Sequence, residues 1–347
     1  MGFIKVTGLS DTEATKYRKP KAKKKLKAPS SKRKPSAKKS EAQRGASASG
    51  FHTLNLYQNC QRKYFLRTIA RLEPTGRGTA YPLLFGTAFH EAKDVFYRTK
   101  SLSKGLTRLE NTLIELHDEF ESENEFDIAR ERGPILFQAW HRKFGQHDHD
   151  RFEILGVEKR LEAPLPGDKY YLTGRIDLLV RYEDSIWIID TKTAGFSKRT
   201  AEEAISLGDQ ATAYIYLARE CLGLHADGVI GDIAYWNKQS GDPNNIDCFR
   251  TDIIARDDRQ LAEFALGAAQ TNSEISQKFA ALKAGHDPAI FTRNTHYCMS
   301  FFRKCEFADI CRSQINAKGR APSGYRRNPK IKPGVTQFIY DETEGLL

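Results

Sequence analysis

Apolar and polar residues repeat with two different periods along the chain, and each change of period marks a new structural element. Helical spacing predicts one helix from Leu54 to Ala70 and a second from Leu83 to Tyr97. Two more helical stretches are predicted near 105–122 and 134–147. A strand-rich block, from about Phe152 to Lys192, then replaces the helical pattern.

The second half of the chain mixes helices and strands in the same way. A helix is predicted around 200–222, strands near 227–237 and 246–254, and a long helix near 256–284. A cysteine-bearing region follows, and no internal repeat is present. Helices that flank a small central sheet define the predicted fold class, which is mixed α/β.

One hairpin in the strand-rich block has a register that can be counted from the sequence. Two apolar runs meet at a polar turn, 183–184, and counting outward from this turn pairs Asp177 with Asp190. The two carboxylates are therefore expected to face each other, with Cβ atoms about 5 Å apart. Lys192 follows Asp190 by two positions and is expected on the same face of the strand.

Opposed carboxylates predict a bound cation. Two like charges destabilise a sheet unless a positive charge lies between them, and a divalent metal is the obvious candidate. A surface ion pair is the alternative interpretation. The Asp-x-Lys tripeptide alone is weak support, because Glu91-Ala92-Lys93 fits the same pattern by accident.

Composition favours a globular protein. The chain has 347 residues, of which 39% are hydrophobic, and no apolar run approaches the ~18 residues that span a bilayer. Because its first residues also lack the apolar core of a secretory signal, a cytoplasmic location is expected. Six cysteines in such a compartment favour reduced thiols or a metal site over disulfides.

The positive charge is concentrated near the start of the chain. Residues 16–44 hold 14 Lys and Arg against the single acid Glu41, whereas the whole chain has a net charge of +11. With three prolines and few large apolar residues, this segment predicts a disordered basic arm over residues 1–48. Clustered lysines bind the nucleic-acid backbone by releasing counterions, although a solubilising tail remains the alternative.

These motifs together resemble the PD-(D/E)XK nuclease superfamily, and within it the RecB-like exonucleases that include CRISPR-associated members. The resemblance covers most of residues 50–312, so residues 49–312 are expected to form the nuclease domain and residues 313–347 a C-terminal extension. It rests on four motifs in the family's order: Phe89-His90, Gly174 to Asp177, Ile189 to Thr193, and Gln210 to Tyr214. It implies a restriction-endonuclease-like core, a small mixed sheet flanked by helices, that hydrolyses phosphodiester bonds in DNA.

Each motif has an expected role. Asp177, Asp190 and the carbonyl of Thr191 are oxygen ligands for Mg²⁺ or Mn²⁺, and Lys192 would orient or help deprotonate the attacking water. The resemblance adds His90 as a ligand, although a packed core histidine is the alternative, and Glu158 is a further candidate from the preceding strand.

The helix after the hairpin carries the last motif. Gln210 and Tyr214 are four residues apart and share one helix face. The resemblance implies that this face meets the DNA backbone. A core-facing tyrosine beside a capping glutamine is the alternative.

Four cysteines form a second constellation. Cys298, Cys305 and Cys311 lie in one C-terminal segment, and Cys60 can join them if the first helix folds back. The RecB-like relatives with a 4Fe–4S cluster place one cysteine before the core and three after it, so the resemblance implies such a cluster, although the gap after Cys298 is longer than their common spacing. Zinc is the alternative. The two remaining cysteines are expected in the core: Cys221 and Cys248.

Two classes of function remain open. The first is a metal-dependent DNA exonuclease acting on ends or single strands in repair, recombination or processing of foreign DNA. The second is a catalytically silent DNA-binding or scaffold protein with the same fold. The carboxylates and lysine favour the enzyme. The sequence has no Gly-x-x-x-x-Gly-Lys-Ser/Thr loop, so any helicase partner is expected to be a separate chain.

Overall fold

Helices and strands follow one another in the order that the hydrophobic periods predict. The computed structural model describes residues 50–75, 81–195, 197–236, 246–300, 303–312 and 320–328. These all belong to one unit, residues 45–347. The predicted arm, residues 1–48, lies outside the described residues.

The α-helices in the described residues are α1 (Phe51–Asn59), α2 (Gln61–Tyr64), α3 (Tyr81–Thr99), α4 (Leu102–Glu115), α5 (Glu123–Trp140), α6 (Gln146–Arg151), α7 (Lys198–Leu207), α8 (Asp209–Leu222) and α9 (Asp258–Lys283). The strands are β1 (Leu72–Pro74), β2 (Glu153–Pro164), β3 (Tyr171–Tyr182), β4 (Ser185–Ala194), β5 (Ala226–Trp236), β6 (Ile246–Arg250), β7 (Met299–Ser300), β8 (Arg303–Lys304) and β9 (Tyr325–Arg327). None of these helices is both long and apolar enough to cross a membrane.

The central sheet has five strands in the order β2-β3-β4-β5-β6. Strands β4 and β5 are parallel and the other neighbours are antiparallel. A parallel pair needs a long connection, which α7 and α8 supply. The sheet is therefore mixed and flanked by helices, which confirms the predicted fold class.

The β3–β4 hairpin turns where the sequence predicts. The ladder runs from Tyr182 opposite Ser185 to Leu178 opposite Ile189, which is the predicted register. It ends one pair short of Asp177 and Asp190. Beyond this point β4 stays paired with β5 as far as Ala194, while β3 stays paired with β2. The two central strands thus part at the predicted site.

The two faces of the sheet bury separate apolar cores. Helices α3, α4 and α5 cover one face with an aromatic-rich cluster that includes Phe89, Phe137 and Trp140. Helices α1, α8 and α9 cover the other face, where Leu217 and Ile215 pack. The site at the parting of β3 and β4 therefore lies between α3 on one side and α8 on the other.

Several boundaries differ from the predictions. Helix α5 begins at Glu123 rather than near 134, because Pro134 lies inside the helix and not at its first turn. The single helix predicted around 200–222 is two helices, since Gly208 has an extended backbone between α7 and α8. Strand β6 ends at Arg250, earlier than the predicted 254.

The first helices and the last described residues pack together. The Arg62 amide donates to the Thr292 carbonyl at 2.9 Å, and the Asn294 side chain donates to the Asn59 carbonyl at 3.0 Å. Strand β9 lies in the predicted C-terminal extension, residues 313–347, and pairs with β1. The two ends of the folded region thus meet.

Candidate active site

Five side chains from four elements converge where β3 and β4 part. Helix α3 carries His90, β2 carries Glu158, β3 carries Asp177, and β4 carries Asp190 and Lys192.

Two glycines, one on α3 and one on β3, let helices approach the sheet at this point. A Cβ at Gly86 would lie 3.3 Å from the Thr193 hydroxyl, and a Cβ at Gly174 would lie 2.5 Å from Leu217. A side chain at Gly174 would push α8 away from the sheet. The glycine of the Gly-x-x-Asp motif is therefore explained by packing, not by the flexibility of its backbone.

A group of three polar side chains forms the centre of the site. His90 Nδ1 lies 3.4 Å from Asp177 Oδ2 and 3.7 Å from Glu158 Oε1. One potential ligand atom from each residue falls within 4.8 Å of the other two. Within the described part of the chain, no other set of three His, Cys, Asp or Glu side chains meets this criterion.

Glu158 reaches this group through an unusual backbone conformation. Its φ is +49°, a region that costs a non-glycine residue roughly 1–3 kcal/mol, and such residues cluster at functional sites. Its carboxylate also contacts Arg175, a half-exposed guanidinium at 2.7 Å. The structure thus places Glu158, a further candidate in the sequence, directly against His90.

The carboxylates change the protonation of the histidine. Burial opposes the charged form of His90, but Asp177 and Glu158 outweigh it and raise its pKa to about 9. Burial likewise opposes the charge of Asp177, yet His90, Lys192 and the Thr191 amide together lower the pKa of this carboxyl. In the absence of metal, a histidinium therefore neutralises the Asp177 carboxylate.

Asp190 and Lys192 form a second, adjacent pair. The Lys192 ammonium lies 2.8 Å from Asp190 Oδ2, as expected for residues that share one face of a strand. Burial and the neighbouring Asp177 raise the pKa of Asp190, although Lys192 opposes this. Burial lowers the pKa of Lys192, but Asp190 and Asp177 outweigh it, so the net pKa is raised. Lys192 is thus a cation at neutral pH.

Thr191 lies between the members of this pair and points the other way. Its amide donates to Asp177 Oδ2 at 2.8 Å, which replaces the ladder bond missing at this position. Its hydroxyl accepts from Lys93 Nζ at 2.6 Å. Lys93 belongs to Glu91-Ala92-Lys93, the accidental match to the Asp-x-Lys pattern.

Helix α8 approaches from the opposite side. Gln210 Nε2 donates to the Tyr214 hydroxyl at 2.8 Å and lies 3.4 Å from Asp190 Oδ1. Tyr214 is buried, and burial, together with the Asp190 charge, raises its pKa well above the usual range. The structure brings this predicted pair to the site, and its contact with DNA stays a prediction.

A family comparison decides what kind of protein carries this site. The model of the PD-(D/E)XK nuclease superfamily matches residues 49–312, which is most of the chain and contains every motif described above. The chain belongs to the PD-(D/E)XK nuclease superfamily. Membership supports a nuclease that acts on DNA. No curated protein matches the sequence significantly.

Solved structures resemble this superfamily member only remotely. The alkaline exonuclease LHK-Exo from Laribacter hongkongensis is 18% identical over 60% of this chain and 93% of its own, with a TM-score of 0.27. SSO0001 is 16% identical over 77% of this chain and 98% of its own, with a TM-score of 0.29. Protein VC1899 from Vibrio cholerae is 15% identical over 53% of this chain and 47% of its own, with a TM-score of 0.19.

The central group fits the divalent metal that PD-(D/E)XK nucleases typically use. An imidazole and two carboxylates offer nitrogen and hard oxygen donors, the types that Mg²⁺ and Mn²⁺ accept. Two ligand atoms that each lie about 2.1 Å from one ion are at most about 4.2 Å apart. The donor atoms of the three side chains lie within 4.8 Å of one another, so only small movements would bring them to one ion. Asp190 is outside the group of three but near enough for the Asp177 charge to raise its pKa.

The four cysteines named in the sequence analysis lie in one region of this superfamily member. The Cys305 amide donates to the Cys298 carbonyl at 2.8 Å. Burial raises the pKa of Cys305 and of Cys311, and the nearby Cys60 thiol raises both further. Among the described residues no three sulfurs lie within 4.8 Å of one another.

The two other cysteines have different environments. Cys248 on β6 is 2% exposed and is a core residue, as predicted. Cys221 is exposed at the end of α8, so the prediction that it packs in the core is wrong. The last turn of α8 extends past the core, and apolar helix spacing cannot reveal where a helix emerges into solvent.

Two residues near the site were missed in the sequence. Asp232 on β5 is buried and pairs with Lys93 at 2.8 Å. The signal was present, because Asp232 is the one acid inside the apolar run 229–236. Lys93 gave no such signal, since a lysine on a helix is ordinarily solvated.

Proposed function

We propose that this superfamily member is a Mg²⁺- or Mn²⁺-dependent deoxyribonuclease, and an exonuclease in preference to an endonuclease. The observation that carries the proposal is the gathering of His90, Glu158 and Asp177 beside the Asp190–Lys192 pair. Three carboxylates, an imidazole and a half-buried ammonium at the junction of α3 and the sheet form a set suited to hydrolysing a phosphodiester.

The metal ligands of this proposal are His90, Asp177, Asp190 and the Thr191 carbonyl, with Glu158 added by its position. When bound, the metal would lower the pKa of the attacking water and offset charge on the scissile phosphate. His90 must lose a proton before it can act as a ligand, because the neighbouring carboxylates hold it in the charged form.

Lys192 acts in this proposal as a fixed positive charge. Its raised pKa keeps it protonated at neutral pH, so it is suited to orienting the water and stabilising charge that develops on the phosphate. Of the two roles expected from the sequence, orientation is therefore favoured over proton abstraction. Gln210 and Tyr214 would contact the DNA backbone next to it.

The preference for exonuclease activity rests on the resemblance to RecB-like enzymes. DNA ends or single strands are the proposed substrates, in repair, recombination or processing of foreign DNA, with a helicase supplied by a separate chain. Residues 1–48 would tether DNA by charge, residues 49–312 would form the nuclease domain, and residues 313–347 would extend it.

We further propose that Cys60, Cys298, Cys305 and Cys311 bind a 4Fe–4S cluster. A single zinc ion, with Zn–S bonds near 2.3 Å, holds its sulfurs about 3.8 Å apart. A four-iron cluster holds them further apart, which agrees with described sulfurs that share one region although no three of them lie within 4.8 Å of one another. The cluster would hold the first helices against the C-terminal segment.

A cleavage assay tests the proposed activity. End-labelled single- and double-stranded DNA should be degraded with Mg²⁺ or Mn²⁺ and remain intact with EDTA. Asp190→Ala and Lys192→Ala should each abolish cleavage while DNA binding persists. Asp184→Ala is the matched control, because Asp184 is an exposed residue at the turn of the same hairpin.

Closed circular DNA separates the two kinds of nuclease. An exonuclease leaves the circle intact and degrades it once it is linearised, whereas degradation of the circle would show an endonuclease. Full activity in either the Asp190 or the Lys192 variant would contradict the assigned site. No cleavage of any substrate, with DNA binding retained, would favour the silent DNA-binding protein.

A further inference from the structure

A buried lysine lies directly behind the proposed metal site. Lys93 follows His90 by three residues on α3, so the two side chains share a helix face. Lys93 is only 4% exposed. Its ammonium donates to Thr191 Oγ1 at 2.6 Å and to Asp232 Oδ2 at 2.8 Å, and it lies 4.6 Å from the centre of the Trp140 ring.

A balanced network of charges holds this lysine in place. Trp140 Nε1 donates to Asp232 Oδ2 at 3.0 Å, and Arg250 lies 3.4 Å from the same oxygen. Arg250 also makes two bonds to the buried Asp148, at 2.9 and 2.6 Å. Two cations thus face two carboxylates, and the Lys93 ammonium has little freedom to move.

The network meets the proposed metal site at one residue. Thr191 and Asp232 are direct partners in the parallel β4–β5 ladder, so their side chains lie side by side. Lys93 bonds to both. The Thr191 amide in turn donates to Asp177 Oδ2 at 2.8 Å, and the Thr191 carbonyl is a proposed metal ligand. Thr191 therefore connects the buried network to the ligand group.

Stability alone does not explain a lysine at this position. An apolar residue packed there would be at least as favourable as a buried ion pair in many proteins. What an apolar residue cannot supply is the hydrogen bond to Thr191. This bond fixes the Thr191 side chain on the α3 side of β4, where β3 no longer holds the strand.

We propose that Lys93, held by Asp232, is a positioning residue that sets the affinity of the metal site through Thr191. The inference rests on the proposed metal-dependent function. In the described contacts Lys93 touches none of the proposed ligand atoms; its bond to the Thr191 hydroxyl fixes the backbone that presents the Asp177 carboxylate and the Thr191 carbonyl in the geometry that a small divalent ion requires.

The test measures Mn²⁺ binding to metal-free full-length protein from the electron paramagnetic resonance signal of free Mn²⁺. Thr191→Val removes the acceptor of the Lys93 bond and leaves the Lys93–Asp232 pair intact. It should weaken Mn²⁺ binding at least tenfold, the effect typical of losing an interaction that orients a ligand. Lys93→Met should weaken binding equally.

Two controls separate positioning from general loss of stability. Lys93→Met with Asp232→Asn removes both charges of the pair and should recover thermal stability relative to Lys93→Met, but not Mn²⁺ affinity. Arg250→Met disturbs the same network without touching Lys93 or Thr191. It should lower the unfolding temperature while Mn²⁺ affinity changes less than twofold.

The outcomes distinguish this inference from the proposed function. Asp177→Asn should abolish Mn²⁺ binding at this site; if it does not, the metal site itself is wrongly assigned. Unchanged affinity in Thr191→Val and Lys93→Met, with binding lost in Asp177→Asn, would overturn the positioning role alone. The role would also be overturned if Arg250→Met weakened binding as much as Lys93→Met, or if affinity returned with stability in the double variant.

Discussion

Replacing His90 by glutamine should change how the stability of the metal-free protein depends on pH. The folded protein holds the His90 proton with a pKa of about 9, against 6.5 for an ordinary histidine, because Asp177 and Glu158 outweigh the cost of burial. This difference corresponds to about 3 kcal/mol of folding free energy below pH 6.5, since each pH unit of difference contributes about 1.4 kcal/mol.

The sign follows from which state holds the proton. Between pH 6.5 and 9 the folded protein keeps the His90 proton and the unfolded chain releases it, so this contribution falls as pH rises. The wild type should therefore lose about 3 kcal/mol relative to His90→Gln between pH 6 and pH 9.5. Groups whose titration does not depend on His90 cancel in the difference.

Urea unfolding in EDTA at closely spaced pH values measures this difference. His117→Gln provides a control, because His117 also contacts two carboxylates, at 2.9 and 3.1 Å, but is exposed to solvent. Solvent screening should make its effect much smaller. Parallel stability curves for wild type and His90→Gln would refute the presence of a histidinium between the two carboxylates.

The same proton should couple metal binding to pH. A metal ion at His90 displaces the proton, so the apparent Mn²⁺ affinity should rise about tenfold per pH unit up to about pH 9. Calorimetry in buffers of different ionisation enthalpy should detect close to one proton released per ion at pH 7.5. Release of no proton would show that His90 is not a ligand.

Three other predictions concern different parts of the molecule. In metal-free protein at pH 7, thermal unfolding should show Asp190→Asn more stable than wild type and Asp177→Asn less stable, because the pKa of Asp190 is raised and that of Asp177 is lowered; the reverse order would contradict these electrostatics. Elemental analysis of anaerobically purified protein should find about four irons per chain. The iron content should be lower in Cys60→Ser and unchanged in Cys221→Ser. One zinc and no iron would favour the alternative metal. Deleting residues 1–47 should reduce the slope of log DNA affinity against log salt concentration. The reduction should be about five to six if half of the 14 basic residues bind phosphates. Equal slopes for full-length and truncated protein would exclude DNA binding by this segment.

The sequence predicts what depends on neighbours along the chain. The turn at 183–184 follows from two apolar runs of period two around a polar break, and it fixes the register of the whole hairpin. That register brings Asp177 and Asp190 to the same level of the sheet. Spacing on one helix likewise predicts that Gln210 and Tyr214 share a face, where the structure joins them by a hydrogen bond.

What the sequence does not predict depends on residues far apart along the chain. Lys93 and Asp232 are separated by 139 positions, and neither residue type signals its partner. The pKa values of the opposed carboxylates Asp177 and Asp190 also shift in opposite directions. His90 on α3 contacts Asp177, whereas Asp190 lies outside the group of three. The sequence also does not predict where α5 begins. Pro134 favours a helix start near 134, but it lies inside α5, where packing outweighs the free-energy cost of a proline within a helix.

The meeting of the two ends of the folded region has a consequence for synthesis. Glu73 and Asn328 bond across 255 positions, and Asn59 bonds with Asn294 across 235. Contacts at such separations close very long loops, which carry a large entropic cost and slow folding. Because a ribosome delivers the N-terminal residues first, α1 and β1 must wait for partners that are translated 235 to 255 positions later. The nascent chain therefore exposes the apolar faces of these elements until those partners emerge, and β1 can pair only after β9 has left the ribosome.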